Sequence, residues 1–181
     1  MSLDKKRPFE NYLNRYFVES GTNVGEGIDT ALKVGFERVL SYEIYEPLYN
    51  DAKVKYSNNN SVYLYHKSSL KMWDEIQHIN EPITFWLDGH WSGYGTGYDS
   101  DMLYPLIKEL EIIKKHPIKT HTILIDDRRL MRKDIINGEK EHDIIGFSEA
   151  EIIEALYDIN PSYNITYDWG YIKDDIIVAK I

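Results

Sequence analysis

The chain has 181 residues, no cysteine, and a formal net charge of −9 with a pI near 5.1. Without cysteine there is no disulfide, no thiolate metal site and no cysteine nucleophile, and the acidity makes nucleic acid an unexpected main partner. With 43% hydrophobic and 28% charged residues, the composition is that of one globular domain able to bury a core; no apolar run approaches the ~20 residues of a membrane span.

Residues 1–14 read as an N-terminal extension to a single domain over 1–181. Its basic run Lys5, Lys6, Arg7 is followed by no apolar stretch, so it is not read as a signal peptide, and a cytoplasmic protein is expected. Tyr16–Glu19 reads as a buried strand ending in an acid, and Ile28, Ala31, Leu32 and Gly35 then fall at helical spacing. Arg38–Ile44 is a second strand, followed by a helix opened by Pro47. Ser61–His66 is a third, with Leu70, Trp73 and Ile76 at helical spacing behind it. Ile83–Leu87 is a fourth, and Leu103, Leu106, Ile107 and Leu110 mark the helix after it. Thr122–Ile125 is a fifth; Ser148 then caps a helix, with Glu151 placed for a capping box. Asn164–Asp168 and Asp175–Ile181 read as a closing hairpin. Strands alternating with helices imply parallel βαβ units. The expected fold is α/β: a Rossmann-like, doubly wound, mostly parallel seven-stranded sheet with a C-terminal antiparallel hairpin.

The segment ESGTNVGEG, residues 19–27, lies between the first strand and the first helix. Gly21 suits a tight turn there, and Gly25 and Gly27 permit close backbone approach. The helix N-terminus offers free N–H donors, and Glu19 can accept from a cationic amine. Glu43 stands near the end of the second strand, the place for an acid that holds ribose hydroxyls ~20 residues after the loop. This spacing also resembles short-chain dehydrogenases, which bind NAD(P) and need a Tyr-x-x-x-Lys pair. Tyr63 and Lys67 satisfy that string but fall on the third strand, where residues i and i+4 share no helical face.

ESGTNVG resembles the first motif of the class I S-adenosylmethionine-dependent methyltransferases, and SYEIYEP resembles their second. FWLDGHWSGYGTGYDSDMLYPLIKEL, followed by ILIDDRRL, is similar to a small-molecule O-methyltransferase subgroup with an Asp-Gly-x-His-like fourth motif. The chain departs from the pattern in three places. The first loop is not Gly-x-Gly-x-Gly, Asp88-Gly89-His90 is one residue short, and no Gly-Gly precedes the fifth strand. The resemblance implies S-adenosylmethionine as cofactor, with Glu19, Gly21, Thr22 and Gly25 around its methionine part and Glu43 on its ribose. It puts Ser68 and Ser69 near the adenine, though serines there also suit a plain helix start, and Asp88 on the sulfonium side.

Asp88, Asp126 and Asp127 fall at the C-terminal ends of neighbouring strands, which converge on one crevice in a parallel sheet. Carboxylates brought together repel unless compensated, and a hard cation such as Mg²⁺ would do so. The competing reading pairs Asp126 or Asp127 with Arg128 or Arg129, or makes one of them a turn cap. His90 is the candidate general base. Trp91, Tyr94 and Tyr98 on one loop, and Arg128, Arg129, Arg132 and Lys133 on another, are candidate walls for the acceptor. The expected activity is methylation of an oxygen on a small-molecule or carbohydrate acceptor, with no membrane partner and a homo-oligomer left open. The alternatives are an NAD(P)-dependent short-chain reductase and a non-catalytic cofactor-binding or scaffold domain.

Overall fold

The alternation of apolar runs and amphipathic stretches resolves into one sheet covered on both faces. The computed structural model describes residues 5–93, 95–97, 103–131 and 146–181. Among these, seven strands form: β1 (Tyr16–Ser20), β2 (Arg38–Glu43), β3 (Val62–His66), β4 (Ile83–Leu87), β5 (Thr122–Ile125), β6 (Asn164–Asp168) and β7 (Ile176–Lys180). Their order is β3-β2-β1-β4-β5-β7-β6. The first five run parallel, and β7 enters antiparallel between β5 and β6. The fold is therefore the expected Rossmann-like sheet with a terminal antiparallel hairpin. No helix among the described residues is long and apolar enough to cross a membrane.

The helices are α1 (Glu26–Val34), α2 (Glu46–Lys55), α3 (Trp73–Ile76), α4 (Leu106–Lys115) and α5 (Glu149–Ile159). Two differ from the sequence reading. The spacing Leu70, Trp73, Ile76 is shared between a 3-10 turn over Ser69–Lys71 and the single turn α3. The helix expected from Leu103 begins at Leu106, because Pro105 stands at its N-cap and cannot donate within a helix. The capping box of α5 forms as expected: Ser148 Oγ accepts from Glu151 N, and Glu151 accepts from Ser148 N.

Alternation along each strand sends neighbours to opposite faces. Val18, Phe85, Leu87, Ile123, Ile125 and Ile177 pack with Met72, Ile76, Leu110, Ile113, Ile152 and Leu156, beneath α3, α4 and α5. Phe17, Trp86, Leu124, Ile176 and Val178 pack on the other face with Ile28 and Ala31 of α1 and Ala52 near the end of α2. Phe9, in a 3-10 turn over Phe9–Asn11, joins this second cluster; it is fully buried, edge-on to Trp86 at 5.0 Å between ring centroids. The N-terminal segment is thereby stitched to the sheet. Because β1 adjoins both β2 and β4, the connections leave it in opposite directions, and a crevice opens at the C-terminal ends of β1 and β4.

At the opposite end of the sheet His116 and His121 are fully buried. Ile118 N–H donates to His116 Nδ1 and Ile83 N–H donates to His121 Nδ1, so both Nδ1 atoms are unprotonated acceptors. His116 Nε2 then donates to Ile76 O, and His121 Nε2 donates to His116 Nδ1, both at 3.0 Å. Both rings are neutral. Burial, reinforced by His116, holds His121 down to about 3. In the unfolded chain histidine takes up its proton near pH ~6.5. The stability conferred by burying His121 in its neutral form is therefore complete above that pH and falls as pH drops toward 3, by about 1.4 kcal/mol per unit. The difference in urea stability between the native chain and His121→Gln, compared at pH 7.5 and 5.5, isolates this loss, because the other titrating groups are common to both proteins: the native chain loses its advantage at the lower pH, and an unchanged difference contradicts the reading.

Candidate active site

The crevice exists because two loops cross with no side chain between them. Gly21 N and Thr22 N donate to Tyr42 O, which turns the chain sharply after β1. Gly21 has φ +81°, and a Cβ on it would stand 2.9 Å from Asp88 O. From the other side, a Cβ on Gly89 would stand 2.8 Å from Ser20 Cβ, while Gly89 N donates to Ser20 Oγ at 3.1 Å. Asp88 is thus held against the loop after β1.

The rest of that loop is built from beneath. Glu19 is 1% exposed and off the cavity wall. It accepts from Ser41 Oγ at 2.7 Å, its register partner on β2, and packs against Gly27. Burial pushes its carboxyl up to about 8, opposed by the Ser41 hydrogen bond. Thr22 closes the same network through Ser41 Oγ at 2.5 Å. Gly25, left-handed at the N-cap of α1, lies under the Tyr56 hydroxyl, which donates to its carbonyl at 2.8 Å. These residues shape the loop, and Gly21 is the one that reaches the cavity.

That cavity has a volume of about 600 Å³. On one side stands Glu43, 6% exposed, whose two oxygens accept from Asn23 N at 2.9 Å and Tyr45 N at 2.8 Å. Ser68 and Ser69 form its floor. Ser68 Oγ caps the 3-10 turn by accepting from Leu70 N, and Ser69 Oγ donates to Glu109 Oε1 at 2.5 Å. Glu109 is 1% exposed, and burial pushes it up to about 7 against the pull of the Ser69 and Ser20 hydroxyls. It is a residue the sequence reading missed. Its signal was present, since Leu106, Glu109, Leu110 and Ile113 are one buried helical face with a single acid in it.

The other side holds the carboxylates. Asp88, Asp126 and Asp127 do fall in one corner, and Asp175, just before the terminal strand, joins them. Single ligand atoms of Asp88, His90 and Asp127 lie within 4.8 Å of one another, as do those of Asp126, Asp127 and Asp175. His90 Nε2 is 3.3 Å from Asp127 Oδ2, and its ring stacks on Tyr104 at 5.3 Å. Burial raises Asp88 and lifts Asp126 further, with the neighbouring aspartates adding to both. Arg129 Nη1 ties Asp127 (2.6 Å) to Asp175 (2.5 Å). Lys5 Nζ ties Asp88 (2.6 Å) to Asp126. Burial would lower Lys5, but Asp88, Asp126 and Asp127 outweigh it and hold the ammonium raised above its ordinary value. Asp126 Oδ1 is buried without a hydrogen-bond partner. Asp127 adopts φ +59°, in the left-handed region that aspartate tolerates better than most non-glycine residues.

Of the candidate acceptor walls, Trp91 lines the cavity, while Tyr94, Tyr98, Arg132 and Lys133 lie outside the described residues. Arg128 does not face an incoming anion; it pairs with Glu149 at 2.9 Å and donates to Asp174 O. Tyr171, between β6 and β7, is an unforeseen member of the wall. Tyr63 and Lys67 serve separate partners: the Tyr63 hydroxyl accepts from Arg38, and Lys67 donates to Glu75 and Asp74.

The crossing loops make a testable pair with Gly35. Gly35 is also left-handed, at φ +103°, but nothing lies within 4 Å of a Cβ placed there. Gly35→Ala therefore carries the backbone penalty alone, about 1–2 kcal/mol. Gly21→Ala carries that penalty and the collision with Asp88 O, so its denaturation midpoint falls further than that of Gly35→Ala.

No protein-family profile matches the chain, and no curated protein matches it by sequence. Solved structures do match. One, described as a caffeoyl-CoA O-methyltransferase from Staphylococcus aureus, is 14% identical with a TM-score of 0.62, over 96% of this chain and 78% of that one. Another, described as an rRNA methylase from Clostridium thermocellum, is 12% identical with a TM-score of 0.62, over 96% and 92%. A third, described as a methyltransferase from Streptococcus mutans and solved with S-adenosylhomocysteine, is 11% identical with a TM-score of 0.54, over 97% and 99%. The sheet, its strand order and its closing hairpin are those of the class I S-adenosylmethionine-dependent methyltransferase fold.

Proposed function

We propose that the chain is an S-adenosylmethionine-dependent methyltransferase acting on an oxygen of a small molecule or sugar, assisted by a divalent cation. The observation that carries this reading is the two-sided crevice. A buried acid with backbone donors around it faces a cluster of carboxylates across a cavity of about 600 Å³, well within the range of small-ligand sites.

The residues fit the cofactor. Gly21 leaves the wall without a side chain where two loops meet. Glu43 spends one lone pair of each oxygen on a backbone N–H, leaving acceptor capacity for ribose hydroxyls. Ser69 and Glu109 fix the floor. Bound S-adenosylmethionine supplies an electrophilic methyl group on a positively charged sulfur. Asp88, at the loop crossing, places negative charge on that side of the cavity. His90 is positioned to take the acceptor's hydroxyl proton, its ring oriented by Asp127 and by stacking on Tyr104. Trp91 and Tyr171 offer flat faces to the acceptor.

The donor set fits a hard cation as well. Asp88, Asp126 and Asp127 are its candidate oxygen ligands: Asp127 shares one close group with Asp88 and His90 and another with Asp126 and Asp175, Lys5 bridges Asp88 and Asp126, and Asp126 Oδ1 is a buried acceptor without a hydrogen-bond partner. Such an ion would lower the pKa of an acceptor hydroxyl.

Calorimetric titration with S-adenosylhomocysteine, with NADPH as comparison, tests the cofactor class. S-adenosylhomocysteine binds, and Glu43→Ala weakens it by roughly 10- to 150-fold, the loss of charged hydrogen bonds worth about 1.5–3 kcal/mol. Binding of NADPH alone overturns the proposal in favour of a reductase. Silence with both leaves the scaffold reading.

A further inference from the structure

Lys5 reaches the carboxylates from a segment outside the layered fold. Its side chain is 9% exposed, and its Nζ contacts Asp88 Oδ2 at 2.6 Å and Asp126 Oδ2. The rings of Trp86 and Tyr171 each lie 5.5 Å from the ammonium. The arm is fastened on both sides of this contact. Lys6 N donates to Gly170 O at 3.2 Å, and Lys6 Nζ sits 4.5 Å over the Trp169 ring. Arg7 pairs with Glu26 at 2.8 Å, in the first turn of α1. Phe9 then roots the chain in the core.

The charges explain why the lysine is there. Four carboxylates meet in this corner, and Arg129 serves two of them, Asp127 and Asp175. The other two, Asp88 and Asp126, share Lys5 as their lysine or arginine partner among the described residues, and Asp88 has His90 Nδ1 at 3.9 Å besides. An ammonium is a compact positive charge with three donors, seeking the same oxygens that a hard divalent ion coordinates. A Mg²⁺ or Mn²⁺ ion bound through Asp88 and Asp126 needs its oxygens at ~2.0–2.1 Å. It would stand where Nζ stands, with a second positive charge pressed against it.

We propose that the Lys5 ammonium and a divalent cation are alternative occupants of Asp88 and Asp126, so that the N-terminal arm gates metal entry to the acceptor half of the crevice. The proposal rests on the divalent-cation reading given above. The contacts that must open are few and lie near the surface: Arg7 pairs with a Glu26 whose side chain is 60% exposed, and Trp169 is 46% exposed. The cofactor half, with Gly21, Glu43 and Ser69, needs no such opening.

Because the metal binds only the arm-open state, its apparent affinity is reduced by the fraction of open molecules. Mn²⁺ binding followed by electron paramagnetic resonance is the test, on the full chain and on Lys5→Met, Lys5→Arg and Lys5→Met/Asp126→Asn. If the arm is open in roughly a tenth of molecules or fewer, Lys5→Met binds Mn²⁺ at least ~10-fold more tightly than the native chain. Lys5→Arg stays near the native value, and the double variant loses the gain. Equal, measurable affinity of the native chain and Lys5→Met overturns the gate and leaves the metal reading standing; absence of binding to both overturns the two together. Amide hydrogen exchange of the native chain gives a readout that needs no substitution. Saturating Mn²⁺ speeds exchange at Lys6, whose N–H is bonded to Gly170 in the closed arm, and an unchanged rate at saturation contradicts the gate.

Discussion

Burying like charges side by side is costly, and this molecule does so at the edge where its parallel strands end. Asp88 follows β4, Asp126 and Asp127 follow β5, and Asp175 precedes β7. Because β7 is antiparallel to β5, its beginning lies where β5 finishes, and the hairpin delivers a fourth carboxylate to the same corner. Isolated buried carboxylates would neutralise themselves or unfold the region. Here Arg129 and Lys5 are drawn in to hold them, Asp127 accepts a left-handed backbone, and an N-terminal arm crosses the sheet edge. Much of the local architecture follows from that compensation.

The crevice has two halves with different physics. The half proposed for the cofactor is made by loops that cross at the distance only glycine allows and by acids satisfied internally: Glu19 by Ser41, Glu109 by Ser69, and Glu43 by two backbone amides. The half proposed for the acceptor is electrostatically under-satisfied, with Asp126 Oδ1 lacking a hydrogen-bond partner and the neighbouring charge supplied by a side chain from the N-terminal arm. Preorganisation on one side and the proposed exchange of cations on the other would suit the proposed reaction, with the methyl donor held fixed and the acceptor recruited.

The fold was legible because its signals are local. Short apolar runs alternating with helical spacing mark β1 to β5, and the Ser148–Glu151 pair marks the start of α5. Glu43, Asp88, Asp126 and Asp127 were legible as acids at strand ends, a position that has meaning only in a parallel sheet. What escaped was long-range or depended on side-chain direction. Lys5 belongs to a basic run whose sequence context says nothing of a partner 83 residues away. Asp175 read as the first residue of a strand, and its charge gained significance only from the antiparallel register. Glu19 has the right position for a ligand contact, yet its pairing with Ser41 turns it beneath the loop. Pro105 shortened a helix whose apolar spacing extended back to Leu103.

Amide hydrogen exchange with and without S-adenosylhomocysteine locates the methyl donor's site on the fold. Slowed exchange is expected at residues 21–26, 43–45, 67–71 and 88–91, the segments around the cavity at the C-terminal ends of β1 to β4. Protection confined to the opposite end of the sheet, around His116 and His121, or none at saturating ligand, would contradict the assignment of this crevice as the methyl-donor site.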